Sequence, residues 1–187
     1  MVVNFLALSG SLRAASINSM VLRAAARVAP RDINVSIFTG LGELPLFNPD
    51  LQEHLPASVL TFHCAVAHAD ALLIASPEYA HGMSGTIKNA LDWLVGFEPF
   101  ACKFVAVLNT SSRAHHADDA LRETLKTMAA VIVEPASICV PLLGTGLDEP
   151  GIIATPAIAD AVRACLRALQ HAVAARHEPL AAEFPVR

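Results

Sequence analysis

Hydroxyl, amide and guanidinium side chains are concentrated between residues 9 and 18, directly after a short apolar run. Ser9, Ser11 and Ser16 can donate hydroxyl hydrogen bonds, and Arg13 can donate a forked pair to an anion. If a helix begins after Ser16, its free amides point into the same space. A helix cap at Ser16 would explain one of these serines, but not the others or the arginine. The stretch therefore predicts a phosphate-binding site, to which Asn18 adds a further polar side chain.

The same stretch lacks the fingerprints of two common nucleotide sites. It contains no GxGxxG pattern, which is typical of dinucleotide-binding folds, and no GxxxxGK[ST] pattern, which is typical of P-loops. A mononucleotide is therefore the favoured ligand.

Two further polar loops follow apolar runs later in the chain. The loop at residues 77–85 supplies Pro77, Glu78, Tyr79 and Gly82, which offer a stiff turn, exposed amides and one aromatic ring. These features suit the edge and plane of a flat, hydrogen-bonding heterocycle. The Thr-Ser-Ser sequence at residues 110–112 could flank the same ring, or the chain that joins the ring to a phosphate.

The apolar runs, and the helical spacing between them, indicate an alternation of strands and helices. Strands are predicted at residues 2–8, 33–38, 71–75, 104–108 and 131–140, the last with an interruption at Glu134-Pro135. Helices are predicted at residues 20–28, 56–67, 86–95, 117–130 and 156–176, with loops at 40–49 and 142–155 and a polar, proline-bearing tail after 176. No linker or internal repeat separates these elements, so residues 1–187 are predicted to form a single domain.

Five strands that alternate with five helices indicate an α/β fold, a doubly wound parallel sheet with helices on both faces. The second predicted strand alternates apolar with polar residues, which places it at an edge and favours the strand order 2-1-3-4-5. In that order the chain reverses direction across the sheet between strands one and three, where such folds bind ligands. The polar loops after strands one, three and four would then meet at one edge.

Two motifs in this sequence resemble the NADPH-dependent FMN reductase family. The first is Gly10-Ser11-Leu12-Arg13 with Ser16 and Asn18, and the second is Pro77-Glu78-Tyr79 with His81-Gly82 and the GTIKNALDWL segment at residues 85–94. The resemblance extends from residue 2 to about residue 140 and includes LPLFN at residues 44–48. It implies a flavodoxin-like fold and a homodimer or homotetramer. The implied activity is reduction of flavin, quinones, azo or nitro compounds, or chromate, with NADPH or NADH.

The resemblance also assigns cofactor-binding residues. It implies that the FMN phosphate is bound by Ser11, Arg13, Ser16 and Asn18, and the isoalloxazine ring by Pro77, Glu78, Tyr79, His81 and Gly82, with Thr110, Ser111 and Ser112 nearby. Ser9 and Ala80 complete the expected cofactor-binding set. The sequence departs from the family at Ala80 and Ser84, where members often have Asn and Pro. The first departure removes a polar side chain from the loop that is expected to hold the ring.

The resulting hypothesis is hydride transfer from a reduced nicotinamide to FMN, followed by reduction of a second substrate at the same face, with ping-pong kinetics. No side chain is then expected to act as catalytic acid, base or nucleophile. No metal is expected, because His115 and His116 are adjacent but lack carboxylate or cysteine partners at ligand spacing. One alternative is a non-catalytic flavodoxin-like module that carries electrons to a partner protein or signals through FMN. A flavin-free phosphate-ester enzyme is the other, but no nucleophile or carboxylate pair is spaced for it.

Composition restricts the remaining partners. Thirteen Lys and Arg against seventeen Asp and Glu give a net charge of −4, so no basic surface for nucleic acid is expected. No apolar run reaches the roughly 18 residues of a membrane span, and the amino terminus lacks the basic start of a signal peptide. Cys64, Cys102, Cys139 and Cys165 lack metal-site spacing and are expected to be small buried residues in a reducing compartment. We therefore expect a cytoplasmic protein whose partner is a small-molecule electron acceptor.

Overall fold

A parallel β-sheet with helices on both faces forms the centre of the protein, in a computed structural model that describes residues 2–177. The strands of this sheet are β1 (Val3–Ser9), β2 (Ile33–Phe38), β3 (Ala71–Ala75), β6 (Phe104–Asn109), β7 (Val131–Ile132) and β8 (Ile138–Cys139), and a separate hairpin is formed by β4 (Glu78–Tyr79) and β5 (Gly82–Met83). The helices are α1 (Ile17–Val28), α2 (Ala57–His68), α3 (Gly85–Asp92), α4 (His115–Thr127), α5 (Glu149–Ala154) and α6 (Pro156–His177). The predicted tail after the last helix lies outside the described residues.

The strand order is β2-β1-β3-β6-β7, and β8 also pairs with β6. Every pair in this sheet is parallel. If β7 and β8 are taken as one interrupted strand, the order is the predicted 2-1-3-4-5. The doubly wound, flavodoxin-like fold is thus confirmed.

Two hydrophobic clusters, one on each face of the sheet, hold the helices in place. Successive side chains of a strand point to opposite faces, so in β1 Phe5 and Ala7 join the cluster under α1 and α6, whereas Leu6 and Leu8 join the cluster under α2, α3 and α4. All four side chains are at most 5% exposed. The continuous apolar sequence of the central strands is therefore the consequence of burial on both faces.

The last strand is divided by a short 3-10 turn over Glu134–Ala136. Both β7 and β8 pair with β6, in register Phe104↔Val131 and Leu108↔Ile138. Between them the Ser137 hydroxyl accepts a hydrogen bond from the Val107 amide at 3.1 Å, in place of a strand carbonyl. The interruption predicted at Glu134-Pro135 is therefore present, and a side chain fills the gap in the ladder.

Three segments predicted as loops contain regular structure. Residues 142–155 include α5, which begins where the Asp148 side chain accepts the Gly151 amide at 2.9 Å, with a proline in the first turn. The Asp-x-Pro capping sequence is visible in the chain, but the surrounding glycines and prolines favour the prediction of a loop. Residues 40–49 include a 3-10 turn over Gly40–Glu43, and residues 78–83 form the β4–β5 hairpin.

The expected burial of all four cysteines is wrong for three of them. Cys165 is buried in the core, where desolvation raises the pKa of its thiol to about 12. Cys64, Cys102 and Cys139 are exposed, and all four thiols are free. Exposure reflects their position on the solvent side of α2, in the turn before β6 and at the end of β8, which apolar sequence neighbours do not reveal. Within residues 2–177, no helix combines the length and apolar character that crossing a bilayer requires.

Candidate functional site

A cleft of about 420 Å³ opens at the carboxyl ends of β1, β3 and β6. Most of its lining comes from the three loops that follow these strands, together with the start of α1 and Leu143. The predicted residues Ser11, Arg13, Ser16, Asn18, Pro77, Glu78, Tyr79, Thr110 and Ser111 all line it. Ser9, Ala80, His81 and Gly82 do not belong to the lining. The structure therefore brings together most of the predicted set at the point where the strand order reverses, as expected for this fold.

Ser9 lies beneath the first loop and shapes it. Its hydroxyl lies 2.8 Å from the Ser19 hydroxyl and accepts the Ser11 amide at 3.3 Å, and the residue is 8% exposed. These contacts hold the chain between β1 and α1 in a tight bend. Ser9 thus positions the loop from below.

Gly10 allows the first loop to approach the third strand closely. Its amide donates to the Ala75 carbonyl at 2.8 Å, and a Cβ at this position would lie 2.6 Å from the Ser76 hydroxyl oxygen and 2.8 Å from that of Ser84. These distances leave no space for a side chain. Glycine is therefore needed for the two loops to share one cleft.

The amino-terminal end of α1 faces the cleft with free donors. Ser16 occupies the cap position, but its side chain makes no capping hydrogen bond, and the first helical bond runs from the Met20 amide to the Ser16 carbonyl at 2.9 Å. Among the described residues, the amides of Ile17 and Asn18 have no acceptor, and the first turn carries no acidic side chain. Such a helix end attracts an anion through its amides and its dipole.

Asn18 and Thr110 join the first and third loops of the cleft. The Thr110 hydroxyl donates to Asn18 Oδ1 at 3.0 Å, and the two residues are 4% and 3% exposed. Among the described residues, the Asn18 side-chain amide group makes no hydrogen bond of its own, and the residue lines the cleft. The third loop is itself ordered by Asn109, whose Oδ1 accepts the Ser111 amide at 2.9 Å and whose Nδ2 donates to the Ala114 carbonyl.

The β4–β5 hairpin forms the opposite wall, and Glu78 fixes it to α4. Glu78 Oε2 accepts the Ala117 amide in the first turn of α4 at 2.9 Å. This carboxylate caps a helix whose own cap residue, Ala114, offers no side-chain acceptor. One carboxylate oxygen of Glu78 is therefore engaged in a hydrogen bond to α4. The neighbouring Tyr79 side chain is 60% exposed and lines the cleft.

The turn of this hairpin explains why two predicted residues do not line the cleft. Ala80 and His81 both have positive φ angles, 48° and 58°, as the tight two-residue turn between Tyr79 and Gly82 requires. The His81 ring lies against His116 of α4, with ring centroids 4.4 Å apart. In the structure His81 therefore contacts another imidazole ring, and its contact with a flavin ring stays a prediction.

Arg113, which has no predicted role, lines the cleft together with Ser76, Asn109 and Leu143. Arg113 stands four residues after the end of β6, in a loop that was recognised as polar. Its position at the carboxyl end of a central strand was the signal that could have identified it. Leu143 comes from the segment after β8, which reaches back over the cleft and has no motif of its own.

The lining fits a flavin mononucleotide. One end combines a guanidinium group, hydroxyls and free helix amides without a carboxylate, which suits a phosphate. The other end combines an aromatic ring, a proline and loop backbone, which suits a flat heterocycle. Asn18, at the first of these ends, adds an amide group that can donate to a phosphate oxygen.

Comparison with known proteins places the chain among flavin-dependent reductases. Residues 3–142 match the family model for NADPH-dependent FMN reductases. The chain is 30% identical to an NAD(P)H-dependent FMN reductase of Pseudomonas aeruginosa over 174 residues, which is 90% of this chain and 94% of that protein. It is 36% identical to a quinone reductase of Escherichia coli over 108 residues, which is 56% of this chain and only 57% of that protein.

A solved structure shows the same fold. The flavoenzyme NAD(P)H:(acceptor) oxidoreductase FerB of Paracoccus denitrificans superposes with a TM-score of 0.75 at 24% sequence identity. The superposition covers 91% of this chain and 98% of that one.

Proposed function

Because this chain belongs to the NADPH-dependent FMN reductase family, we propose that its cleft at the carboxyl ends of β1, β3 and β6 is the FMN site of an NAD(P)H-dependent oxidoreductase. The observation that carries the proposal is the uncapped end of α1, where free amides, Ser16 and Arg13 border one end of the cleft. A helix end of this kind favours the binding of an anion through its free amides and its dipole.

The FMN phosphate is assigned to the end of the cleft formed by Ser11, Arg13, Ser16 and Asn18. Arg13 is exposed and makes no side-chain hydrogen bond among the described residues, so its guanidinium group is available to a ligand. The flavin ring is assigned to the other end, between the β4–β5 hairpin and the loop that carries Thr110 and Ser111. Pro77 and Tyr79 supply apolar contact area there, and the loop backbone supplies donors.

FMN supplies the redox chemistry of hydride transfer, and the side chains of this protein bind and orient it. Tyr79 is exposed at the cleft, and we infer that the nicotinamide and the acceptor both approach the flavin ring beside it. Because the coenzyme and the acceptor would use the same face of the flavin, we expect them to bind one after the other, which gives ping-pong kinetics. Quinones are the acceptor class that we propose first, because a flat apolar ring suits the surface of Tyr79 and because relatives of this chain carry the name quinone reductase. Free flavin, azo and nitro compounds and chromate are further candidate acceptors.

The absorption spectrum of the purified protein tests the proposal directly. We expect a flavin spectrum as purified or after reconstitution with FMN, and rapid oxidation of NADPH or NADH when a small quinone is the only other addition. A protein that binds no flavin would refute the proposed site. A flavoprotein that needs a separate reductase before it passes electrons would instead be a carrier.

Assembly and location complete the proposal. We propose a homodimer or homotetramer, supported by the family resemblance and by a second, apolar groove where Leu60, Val95 and Phe97 meet. Light scattering of the purified protein measures the subunit number. We also propose that residues 1–187 act as a single domain in the cytoplasm. The three exposed free thiols support that location, since such thiols persist in reducing compartments.

A further inference from the structure

Arg113 carries a cation at the cleft that the proposed binding of FMN does not use. It lines the cleft and is exposed, and its side chain makes no hydrogen bond or ion pair within residues 2–177. FMN has a single phosphate, which the first loop and the end of α1 already provide for. Arg113 is therefore a second guanidinium group at this cleft that is available to bind another anion.

Three imidazole rings continue from Arg113 along the edge of the cleft. His115 Nδ1 lies 3.1 Å from the Arg113 carbonyl oxygen, which joins the histidine to the arginine. The rings of His115 and His116 are 4.1 Å apart, and those of His116 and His81 are 4.4 Å apart. All three histidines are exposed. We call Arg113, His81, His115 and His116 the basic rim.

Most acidic groups near the basic rim already form hydrogen bonds or ion pairs with other groups of the protein. Glu78 accepts the Ala117 amide, and Asp118 is bound to Arg122 at 2.6 Å. Asp119 is exposed and makes no ion pair among the described residues. Within that part of the chain, no group of His, Cys, Asp or Glu side chains is arranged to hold a metal ion. The rim therefore offers hydrogen-bond donors to an anion from outside the protein.

We propose that the basic rim binds the 2′-phosphate of NADPH and makes this enzyme prefer NADPH to NADH. This inference rests on the proposed function, in which the nicotinamide stacks at the ring end of the cleft. The adenosine end of the coenzyme must then lie outside the cleft, on exposed residues that border the ring end, and the rim occupies that border. NADPH differs from NADH only in this phosphate, which forms charge-assisted hydrogen bonds with a guanidinium group.

The kinetics of the FMN-loaded protein test the proposal, with benzoquinone at saturation as acceptor. The measured quantity is kcat/KM for NADPH divided by kcat/KM for NADH. We expect Arg113→Met to lower this ratio about tenfold or more, since each 1.4 kcal/mol of lost interaction is a factor of ten. Arg113→Lys should retain part of the preference because it keeps the charge. His116→Ala should lower the ratio several-fold.

Arg31→Met is the matched control, because Arg31 is an exposed arginine at the opposite edge of the sheet, before β2. It should leave the ratio unchanged. An unchanged ratio in Arg113→Met would overturn the proposal, and an unchanged ratio in His116→Ala would remove the imidazoles from it. If Arg113→Met instead weakens FMN binding at an unchanged ratio, the proposal is also overturned, because Arg113 then serves the FMN phosphate.

A binding measurement separates this inference from the proposed function. Adenosine 2′,5′-bisphosphate carries the distinguishing phosphate and adenosine 5′-monophosphate does not, and calorimetry with the FMN-loaded protein needs no turnover. We expect the bisphosphate to bind about tenfold more tightly, and Arg113→Met to abolish the difference. If an active enzyme binds the bisphosphate and the monophosphate equally well, only the proposed role of the basic rim would be refuted. If the protein oxidises neither coenzyme but still binds the bisphosphate more tightly than the monophosphate, only the proposed reductase activity would be refuted.

Discussion

At the scale of single residues, Arg13 decides how tightly the proposed phosphate end holds FMN. Arg13→Ala should raise the dissociation constant of FMN about tenfold to a hundredfold, because a hydrogen bond to a charged group contributes roughly 1.5–3 kcal/mol. The fold should be unaffected, since Arg13 is exposed. Quenching of flavin fluorescence measures the constant, with Arg31→Ala as the control. Equal constants for the two variants would remove Arg13 from the phosphate end.

Gly10 controls the contact between the loops after β1 and β3. Gly10→Ala should lower the free energy of unfolding by about 1–3 kcal/mol, because the new methyl group overlaps the Ser76 hydroxyl. FMN binding should weaken as well, since the loop must move to relieve the overlap. Urea unfolding of the flavin-free protein measures the first effect.

Gly85→Ala is the matched substitution for this experiment. A Cβ at Gly85 would meet no heavy atom within 4 Å, and the residue begins α3 without a positive φ. Alanine at this position should leave the free energy of unfolding unchanged or raise it by about 0.5 kcal/mol, because it reduces the conformational entropy of the unfolded chain. If the two variants unfold alike, steric overlap at Gly10 is not the reason for the glycine.

The residues of the cleft differ in how far sequence could foresee them. Ser16 and Arg13 were predictable because their chemistry and their position before a helix agree. Arg113 was missed because a single arginine in a polar loop has no pattern until the strand order places that loop beside the first. The ring contact of His81 stays a prediction, whereas its contact with His116 could not be foreseen because it depends on the tertiary structure.

At the scale of elements, the β4–β5 hairpin carries backbone strain in its turn. Ala80 and His81 adopt the left-handed conformation, which costs an ordinary L residue roughly 1–2 kcal/mol. Asn tolerates this conformation, and it is the residue that the family often has at position 80. Ala80→Asn should therefore raise the free energy of unfolding by about 0.5–1 kcal/mol in urea unfolding.

Ala80→Val tests the same cause with the opposite sign. A β-branched residue is strongly disfavoured at positive φ, so this variant should be less stable than the parent protein. A gain in stability for Val, or a loss for Asn, would show that the turn is not the source of strain. Because the hairpin forms one wall of the cleft, FMN affinity in both variants reports whether the strain serves binding.

The strands and helices were largely predictable because burial on both faces imposes unbroken apolar runs. The central strands β1, β3 and β6 were identified on that basis, and the edge strand β2 by its alternation. The start of α4 at His115 was placed two residues late, because the helix is capped by Glu78 from another part of the chain. Tertiary capping of this kind leaves no local signal.

At the scale of the whole molecule, Asp32 links the segment before β2 to the last helix. Hydrogen bonds from Gln170 and Arg167 of α6 hold the pKa of this carboxyl at about 2, below its ordinary value of 3.8. A lowered pKa means that the contribution to stability is present above about pH 4 and is lost as the pH falls towards 2.

Asp32→Asn should therefore be less stable than the parent protein near neutral pH, and the difference should shrink between about pH 4 and pH 2. Urea unfolding at a series of pH values measures it. Arg167→Met removes one of the donors and should weaken the same pH dependence. Added salt should also reduce the difference, since these groups are exposed. A difference that stays constant across this pH range would contradict the assigned cause.

The divided strand β7/β8 has a consequence for the behaviour of this protein at high concentration. An exposed sheet edge is a template on which another chain can add a strand, and long, flat edges promote aggregation. Here each piece of the edge is only two residues long, and Glu134 and Pro135 stand between them. The proline lacks an amide donor and the glutamate adds charge, so that intermolecular strand pairing cannot propagate along this side of the sheet. The same interruption that disturbs the ladder thus hinders the addition of a strand from another molecule at this edge.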